Sequence, residues 1–197
     1  MADAGNAQDC TPAVPAAIWL ARHARPLIES GVCYGQLDVP ADALATATSA
    51  RALAATLPPA IRVVCSPLQR CELLAQALFA LRPDLAYITD LRLMEMNFGS
   101  WEGRRWDDIG QPAIDAWVAD FAHHRPGGGE SAQAVLQRVE EIWDEARTAG
   151  DSVWVTHAGV IRAATLLRAG IRRIDCARQW PVSTLAFGNW VAWNNKP

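Results

Sequence analysis

The sequence predicts an α/β fold, a three-layer α/β/α sandwich in which helices flank a mostly parallel central sheet. Short apolar runs of the kind that form strands covered on both faces alternate along the chain with longer segments of helical spacing. Proline and glycine stand at the ends of several of these segments, as they commonly do. With 197 residues, of which 51% are apolar, the chain can bury one large core, so a single domain is expected.

Five apolar runs are predicted to be strands, the last of them only as a candidate. They are residues 16–21, 61–65, 85–88, 152–155 and 184–187. Helical spacing between them predicts four helices, at 42–57, 67–81, 131–148 and 160–169. Pro58-Pro59 and Pro83 support two of the helix ends, because proline lacks the backbone N–H that a helix interior uses.

Two parts of the chain depart from this alternation. Residues 1–15 are small, polar and interrupted by two prolines, so they are predicted to form a disordered N-terminal tail. Residues 97–130 are rich in glycine, tryptophan and acidic side chains. They are predicted to form a lid, with a short helix at 106–121 and a flexible glycine hinge at 127–129. Residues 16–197 would then make up the single domain.

Composition argues against several classes of function. A formal net charge of -3 gives no field that would attract nucleic acid or an anionic membrane. The five cysteines show neither CxxC pairing nor metal-ligand spacing, so we expect no disulfide framework, metal or cofactor. No segment has the roughly 18 apolar residues of a membrane helix, and the N-terminus lacks the features of a secretory signal. We therefore expect a cytoplasmic protein with a small-molecule partner, and a homodimer stays open.

Polar side chains follow directly on several of the predicted strands. His23 follows the first strand, on a segment that Pro26 keeps out of a helix, and His157 follows the strand at 152–155. Arg70 lies in the first turns of the helix after the strand at 61–65, and Glu95 comes just after a further apolar run. Ligands of open α/β sheets bind beyond the carboxyl ends of the strands. These four side chains are therefore expected to converge.

Four blocks of sequence resemble the signature blocks of a known superfamily. They are Arg22-His23 after an apolar strand, Ser66-Pro67-Leu68-Gln69-Arg70 at a helix start, Glu95 before Phe98-Gly99 and Trp101-Glu102-Gly103, and Thr156-His157-Ala158-Gly159-Val160-Ile161-Arg162. In this order they resemble the histidine phosphatase (phosphoglycerate mutase-like) superfamily. Residues 31–40 further resemble the stretch after the nucleophile in alpha-ribazole phosphatases. The resemblance implies a phosphoglycerate mutase-like fold and hydrolysis of a small-molecule phosphate monoester through a phosphohistidine, with alpha-ribazole 5′-phosphate or a related metabolite as a substrate to consider.

Elementary chemistry agrees with the roles that the resemblance implies. Neutral imidazole is a competent nucleophile near pH 7, which suits His23. The transferring phosphoryl group spreads charge over three oxygens and needs fixed cationic donors, which Arg22, Arg70 and His157 would supply, His157 as imidazolium once the anion is bound. One carboxyl group can protonate the leaving alkoxide and then activate water, and the resemblance assigns that role to Glu95.

The remaining expectations concern secondary contacts and alternatives. Additional contacts with phosphate or substrate are expected from Arg25, Tyr34, Gly35, Ser66 and Gly159. Ala24 stands where the family has glycine, which leaves open a catalytically weakened scaffold that binds phosphate esters, although the charged groups argue for negative φ at Ala24 and an open site. A phosphoglycerate mutase is the other alternative, which the short chain disfavours. His123 and His124 are expected to be surface residues that could line the substrate entrance.

Overall fold

A five-stranded sheet forms the centre of the protein. The computed structural model describes residues 16–193, so the predicted tail at 1–15 lies outside the described residues. The strands are β1 (Ile18–Arg22), β2 (Arg62–Cys65), β3 (Tyr87–Thr89), β4 (Ser152–Thr156) and β5 (Trp190–Trp193). Their order across the sheet is β3-β2-β4-β1-β5. All neighbours are parallel except β5, which pairs antiparallel with β1. The predicted α/β sandwich with a mostly parallel sheet is confirmed.

Within residues 16–193, six α-helices accompany the sheet. They are α1 (Ala43–Ala54), α2 (Gln69–Leu81), α3 (Trp106–Ile109), α4 (Gln111–Ala119), α5 (Ala132–Ala146) and α6 (Ala158–Arg168). Short 3-10 turns lie at Leu91–Leu93, Gly99–Trp101, Pro126–Gly128 and Ala177–Gln179. None of the helices between residues 16 and 193 is long and apolar enough to cross a membrane.

The two faces of the sheet bury separate apolar cores. Successive side chains of a strand point to opposite faces. In β4, Val153 and Val155 accordingly pack with residues of α1 and α2, whereas Trp154 packs with residues of α5 and α6. All three side chains are fully buried. This two-sided burial explains why the parallel strands are continuous apolar runs in the sequence.

The candidate strand at 184–187 is wrong. These residues are irregular and end in a turn, where Gly188 has a φ of 75°, and the strand begins only at Trp190. The Leu185 carbonyl accepts a hydrogen bond from Arg22, and Phe187 packs against His23. The segment therefore contacts residues at the end of β1 through side chains, and the antiparallel pairing with β1 falls to residues 190–193.

The segment predicted to form a lid, residues 97–130, differs from that prediction in two details. The single helix expected at 106–121 is two helices, because Gly110 between them has a φ of 89° and Pro112 opens the second. The glycines at 127–129 do not form an open hinge. They cross the main chain of residues 97–99 so closely that a methyl group on Gly127 or Gly129 would collide with a backbone carbonyl. Glycine is needed here for close approach of two backbones.

Candidate active site

Two neighbouring parallel strands deliver two histidines to one point. Arg22 of β1 lies opposite Thr156 of β4 in the register, and the next residue of each strand is a histidine. The main-chain N–H of His23 donates a hydrogen bond to the main-chain carbonyl of Thr156, with an N–O distance of 3.1 Å. The ring centroids of His23 and His157 are 5.0 Å apart. The structure thus brings together the two histidines that the sequence places at strand ends.

The protonation geometry of His23 leaves one ring nitrogen free to react. Its Nδ1 lies 2.7 Å from the Ala24 carbonyl oxygen, which can only accept, so Nδ1 carries the proton. The lone pair of a neutral ring is then on Nε2. The side chain is almost wholly buried, and this burial, together with the nearby charge of Arg70, lowers the pKa of His23 to about 3. His23 is therefore neutral, the nucleophilic form, at pH 7.

Ala24, where the sequence departs from the family, needs no unusual backbone. Among residues 16–193, only one non-glycine residue, Ala60, has a positive φ. The expectation of a negative φ at Ala24 is confirmed, so its methyl group brings no left-handed strain.

His157 is also held neutral, by contacts at both ring nitrogens. Arg70 Nε donates to Nδ1 at 3.2 Å, so the proton of the neutral ring is on Nε2, which lies 2.8 Å from Ser66 Oγ. Burial, and then the proximity of the His23 ring and of the Arg70 charge, lower the pKa of His157 well below its usual value. Without a bound anion His157 is not an imidazolium. Ser66, which the sequence predicts to contact phosphate or substrate, contacts the His157 ring through its hydroxyl group.

Arg70 is a fully buried cation with donors to spare. Its Nη1 donates to the Leu37 carbonyl at 3.0 Å and its Nη2 to the Gly35 carbonyl at 2.6 Å. Together with the bond from Nε to His157, these use three of the five N–H groups of a guanidinium. The guanidinium carbon lies 5.3 Å from the centre of the Tyr34 ring. Two N–H groups therefore remain for an anion.

Gly35, another expected contact, acts through packing. A methyl group on Gly35 would collide with the Met96 carbonyl, and the Glu102 carboxylate and the Phe98 ring would also be too near. Its own carbonyl accepts from Arg70. Gly35 therefore holds Arg70 and lets the main chain pass close to the segment that follows Glu95.

Arg22 carries a buried donor group that has no hydrogen-bond partner. Its Nη1 donates to the Leu185 carbonyl at 2.7 Å, but its Nε is buried and without a hydrogen bond. The guanidinium carbon lies 3.9 Å from the centre of the Phe187 ring, which also packs against His23. Burial lowers the pKa of Arg22, and the nearby Tyr34 and Glu95 oppose that effect. A buried unpaired donor is costly, so it marks a place where an anionic ligand would be stabilised.

The carboxylate of Glu95 contacts the first turn of α6. It accepts from the Gly159 N–H, at 3.0 Å to Oε1 and 3.2 Å to Oε2, and from the Met96 N–H at 2.9 Å. A methyl group on Gly159 would collide with Oε1. The Gly159 N–H, which the sequence predicts to contact phosphate or substrate, donates to the Glu95 carboxylate in this structure.

Two cavities open beside these groups. The larger has a volume of about 830 Å³ and is lined by residues that include Arg25, Leu27, Glu29, Tyr34 and Phe187. The smaller has about 420 Å³ and is lined by residues that include Glu95, Phe98, Trp117, Phe121, Gly159, Arg162 and Trp180. Arg25 and Tyr34 are thus at one cavity and Glu95 at the other. His123 lines neither of them but a third cavity, which shares Phe121 and Ala177 with the smaller one.

Several residues at the site were not singled out from the sequence. Phe187 lies in the segment that was predicted as a candidate strand. Arg162 lies in the sequence motif that contains His157, but no role was predicted for it. Arg162 is fixed by hydrogen bonds to the Pro181 and Val182 carbonyls, at 2.8 and 3.3 Å. Its place in the block after His157 was a signal, whereas nothing in the sequence marked Phe187. In the described part of the chain, no group of three His, Cys, Asp or Glu residues could hold a metal ion.

The chain is similar to known proteins in both sequence and structure. The adenosylcobalamin/alpha-ribazole phosphatase of Escherichia coli (strain K12) is 32% identical over 124 residues, which are 60% of this chain and 59% of that protein. The chain thus spans about three fifths of the length of this curated relative. The alpha-ribazole phosphatase from Shigella flexneri superposes with a TM-score of 0.75 at 27% identity, over 89% of both chains.

A mycobacterial glucosyl-3-phosphoglycerate phosphatase shares the fold, with a TM-score of 0.75 at 22% identity over 90% of this chain and 89% of that chain. A family model described as the histidine phosphatase superfamily (branch 1) matches residues 18–187. That match begins with β1 and ends at Phe187, so it includes every strand end that carries a residue of the site. The chain therefore belongs to the histidine phosphatase superfamily, branch 1.

Proposed function

We propose that this protein is a phosphatase that hydrolyses small-molecule phosphate monoesters through a phosphohistidine at His23. The observation that carries the proposal is the protonation state of His23. The Ala24 carbonyl accepts from Nδ1–H, and Nε2 keeps its lone pair because the ring is neutral at pH 7. A neutral buried imidazole beside two arginines suits attack on an anionic phosphoryl group.

In the first step, His23 Nε2 attacks phosphorus and the ester P–O bond breaks. The leaving oxygen takes a proton from the carboxyl group of Glu95, which acts as the general acid in this step. Arg22 and the two unused N–H groups of Arg70 stabilise the oxygens of the transferring group. The products are the alcohol and phosphohistidine.

In the second step, Glu95 is a carboxylate and acts as the base. A water molecule gives it a proton and attacks phosphorus, the P–N bond breaks, and inorganic phosphate leaves. His23 recovers its lone pair and Glu95 its proton. The hydrogen bonds that the Glu95 carboxylate accepts from Gly159 and Met96 support this anionic half of the cycle.

The cavity beside Glu95 supports a substrate whose alcohol carries an aromatic ring. This cavity adjoins the group that protonates the leaving oxygen, so it would receive the alcohol. Trp117 stacks on Phe121 at 5.6 Å, and Phe121 meets Trp180 at 5.7 Å, which gives the cavity flat apolar walls. We propose alpha-ribazole 5′-phosphate as the substrate, because its alcohol carries such a ring. The resemblance of residues 31–40 to alpha-ribazole phosphatases and the names of two relatives support this choice.

The central experiment compares the wild type with His23→Ala on p-nitrophenyl phosphate. We expect turnover to fall by several orders of magnitude and an acid-labile, base-stable phosphoenzyme to form in the wild type alone. His123→Ala is the matched control, because His123 lines neither of the two cavities beside the reacting groups. Equal activity in His23→Ala would refute the proposal.

A second experiment tests the substrate. Alpha-ribazole 5′-phosphate should be hydrolysed with a higher kcat/KM than glycerol phosphate, and Trp180→Ala should reduce that preference. Release of inorganic phosphate in step with the alcohol would argue for a phosphatase, whereas return of the phosphoryl group to the organic product would argue for a mutase.

A further inference from the structure

The segment that carries Glu95 has no regular secondary structure. It lies between the 3-10 turns at Leu91–Leu93 and Gly99–Trp101, and residues 95–98 belong to no helix or strand. Such a main chain cannot satisfy its N–H and C=O groups through a helix or a sheet ladder, so other groups must supply the partners.

One arginine on α5 holds the main chain on the N-terminal side of this segment. Arg138 Nη1 donates to the Arg92 carbonyl at 2.6 Å, and Nη2 donates to the carbonyl of Glu95 itself at 3.2 Å. A planar guanidinium presents its donors in a fixed geometry. The two carbonyls are therefore fixed relative to α5 and to each other.

Glu130 holds both this arginine and the main chain on the other side of Glu95. Its Oε1 accepts from Arg138 Nε at 2.9 Å and its Oε2 from Arg138 Nη2 at 3.1 Å, a two-pronged ion pair. Oε2 also accepts from the Asn97 N–H at 2.9 Å, and the Glu130 N–H donates to the Asn97 carbonyl at 2.7 Å. The pair thus grips the main chain before, at and after Glu95.

The ion pair is placed where stability alone explains it poorly. Its side chains are only 17% and 24% exposed, and taking two charges out of water offsets much of their attraction. Two further arginine ion pairs, those of Arg82 and Arg172, lie nearer the surface and make no hydrogen bond to residues 92–97. What distinguishes the Glu130–Arg138 pair is its set of bonds to the main chain around Glu95.

We propose that Glu130 and Arg138 are positioning residues for Glu95, which hold its main chain so that the carboxyl group meets the leaving oxygen. This inference rests on the proposed function, in which Glu95 protonates that oxygen. Loss of the pair would leave the Glu95 carbonyl to its second donor, Gln36 Nε2 at 3.0 Å, and would loosen the main chain on both sides of Glu95. A general acid that is misplaced by about 1 Å loses much of its effect. The nucleophile and the phosphate donors lie on other elements and would stay in place.

Two aryl phosphates of similar size separate positioning from general damage. The p-nitrophenolate ion leaves with little help, whereas phenolate needs a proton, so phenyl phosphate reports on Glu95 and p-nitrophenyl phosphate reports on His23 and the arginines. We expect Arg138→Met to lower kcat/KM about 30-fold or more on phenyl phosphate, but less than about threefold on p-nitrophenyl phosphate. Arg138→Lys, which keeps the charge, should recover part of the loss.

The matched control is Arg172→Met, which removes an ion pair to the same helix, with Glu140 and Asp144. Arg172→Met should change kcat/KM by no more than about twofold on either substrate. Glu130→Gln keeps an acceptor for the Asn97 N–H but weakens the ion pair, and it serves as the second variant if Arg138→Met does not fold. In the double variant with Glu95→Gln, Arg138→Met should cost little more on phenyl phosphate, because two changes to one function are not additive.

Equal losses on the two aryl phosphates, or additive losses in the double variant, would overturn the positioning role. That failure is distinct from failure of the proposed function. If the wild type forms a phosphohistidine that His23→Ala cannot form, the proposed function stands whatever the Arg138 variants do. If no phosphohistidine forms, the proposed function fails, and the leaving-group comparison of the Arg138 variants then has no basis.

Discussion

Acid should destabilise this protein through its buried histidines, and His23→Gln should remove a defined part of the effect. Folding places His23 where its pKa is about 3, against about 6.5 for an exposed imidazole. As pH falls from 7 to 5, the unfolded chain takes up a proton at this position and the folded chain does not. Acid therefore stabilises the unfolded state relative to the native state.

The magnitude follows from the two pKa values. At pH 5 an imidazole of pKa 6.5 is almost fully protonated, while one of pKa 3 is almost fully neutral. Integration of the proton uptake gives a loss on the order of 2 kcal/mol from His23 between pH 7 and pH 5. The lowered pKa of His157 acts in the same direction. Against a typical unfolding free energy of roughly 5–15 kcal/mol, this loss is large.

The assay is urea unfolding of the wild type and His23→Gln at pH 7 and pH 5. The carboxylates are common to both proteins, so the difference between their pH effects isolates His23. The variant should lose about 2 kcal/mol less than the wild type. His123→Gln, a substitution of an exposed histidine, is the control. Equal losses in the wild type and His23→Gln would refute a buried neutral His23.

Three further outcomes are expected. Ala24→Gly should change kcat/KM by less than about tenfold, because Ala24 already has an unstrained backbone, whereas rescue of a near-inactive wild type would favour the scaffold alternative. Inorganic phosphate or vanadate should raise the Tm by binding Arg22 and Arg70, and EDTA should leave activity unchanged; loss of activity that a divalent ion restores would contradict the mechanism. Gly159→Ala would ordinarily stabilise a helix by roughly 0.5–1 kcal/mol, but here its methyl group collides with the Glu95 carboxylate, so activity should fall at least about tenfold with no gain in Tm.

Much of the site was predictable because it sits at strand ends. Apolar runs followed at once by His23, His157 or the start of the Arg70 helix placed those groups at one edge of the sheet, and strand pairing gives the distances. The role of Gly159 was not predictable, because its N–H could serve either a ligand or a carboxylate. Only the folded position of Glu95 decides between them.

Other features depended on contacts between residues distant in sequence. The bond from Arg138 to the Glu95 carbonyl joins residues 43 positions apart, and no local pattern around Arg138 indicates it. The last strand was misplaced because residues 184–187 and 190–193 are both apolar and of strand length. The turn at Gly188 decides which of them pairs with β1.

The hydrogen bonds between the two ends of the predicted lid have a consequence for engineering. The segment begins at Asn97 and ends at Glu130, and these two residues are joined by main-chain and side-chain hydrogen bonds. These hydrogen bonds hold the two ends of the segment together independently of the residues between them. Residues 102–106 are tied by hydrogen bonds to residues 31–36, so the part that could be exchanged is residues 107–121. A segment of another length could replace it at little entropic cost, since loop closure depends only weakly on length. Substrate range could then be altered without moving the reacting groups.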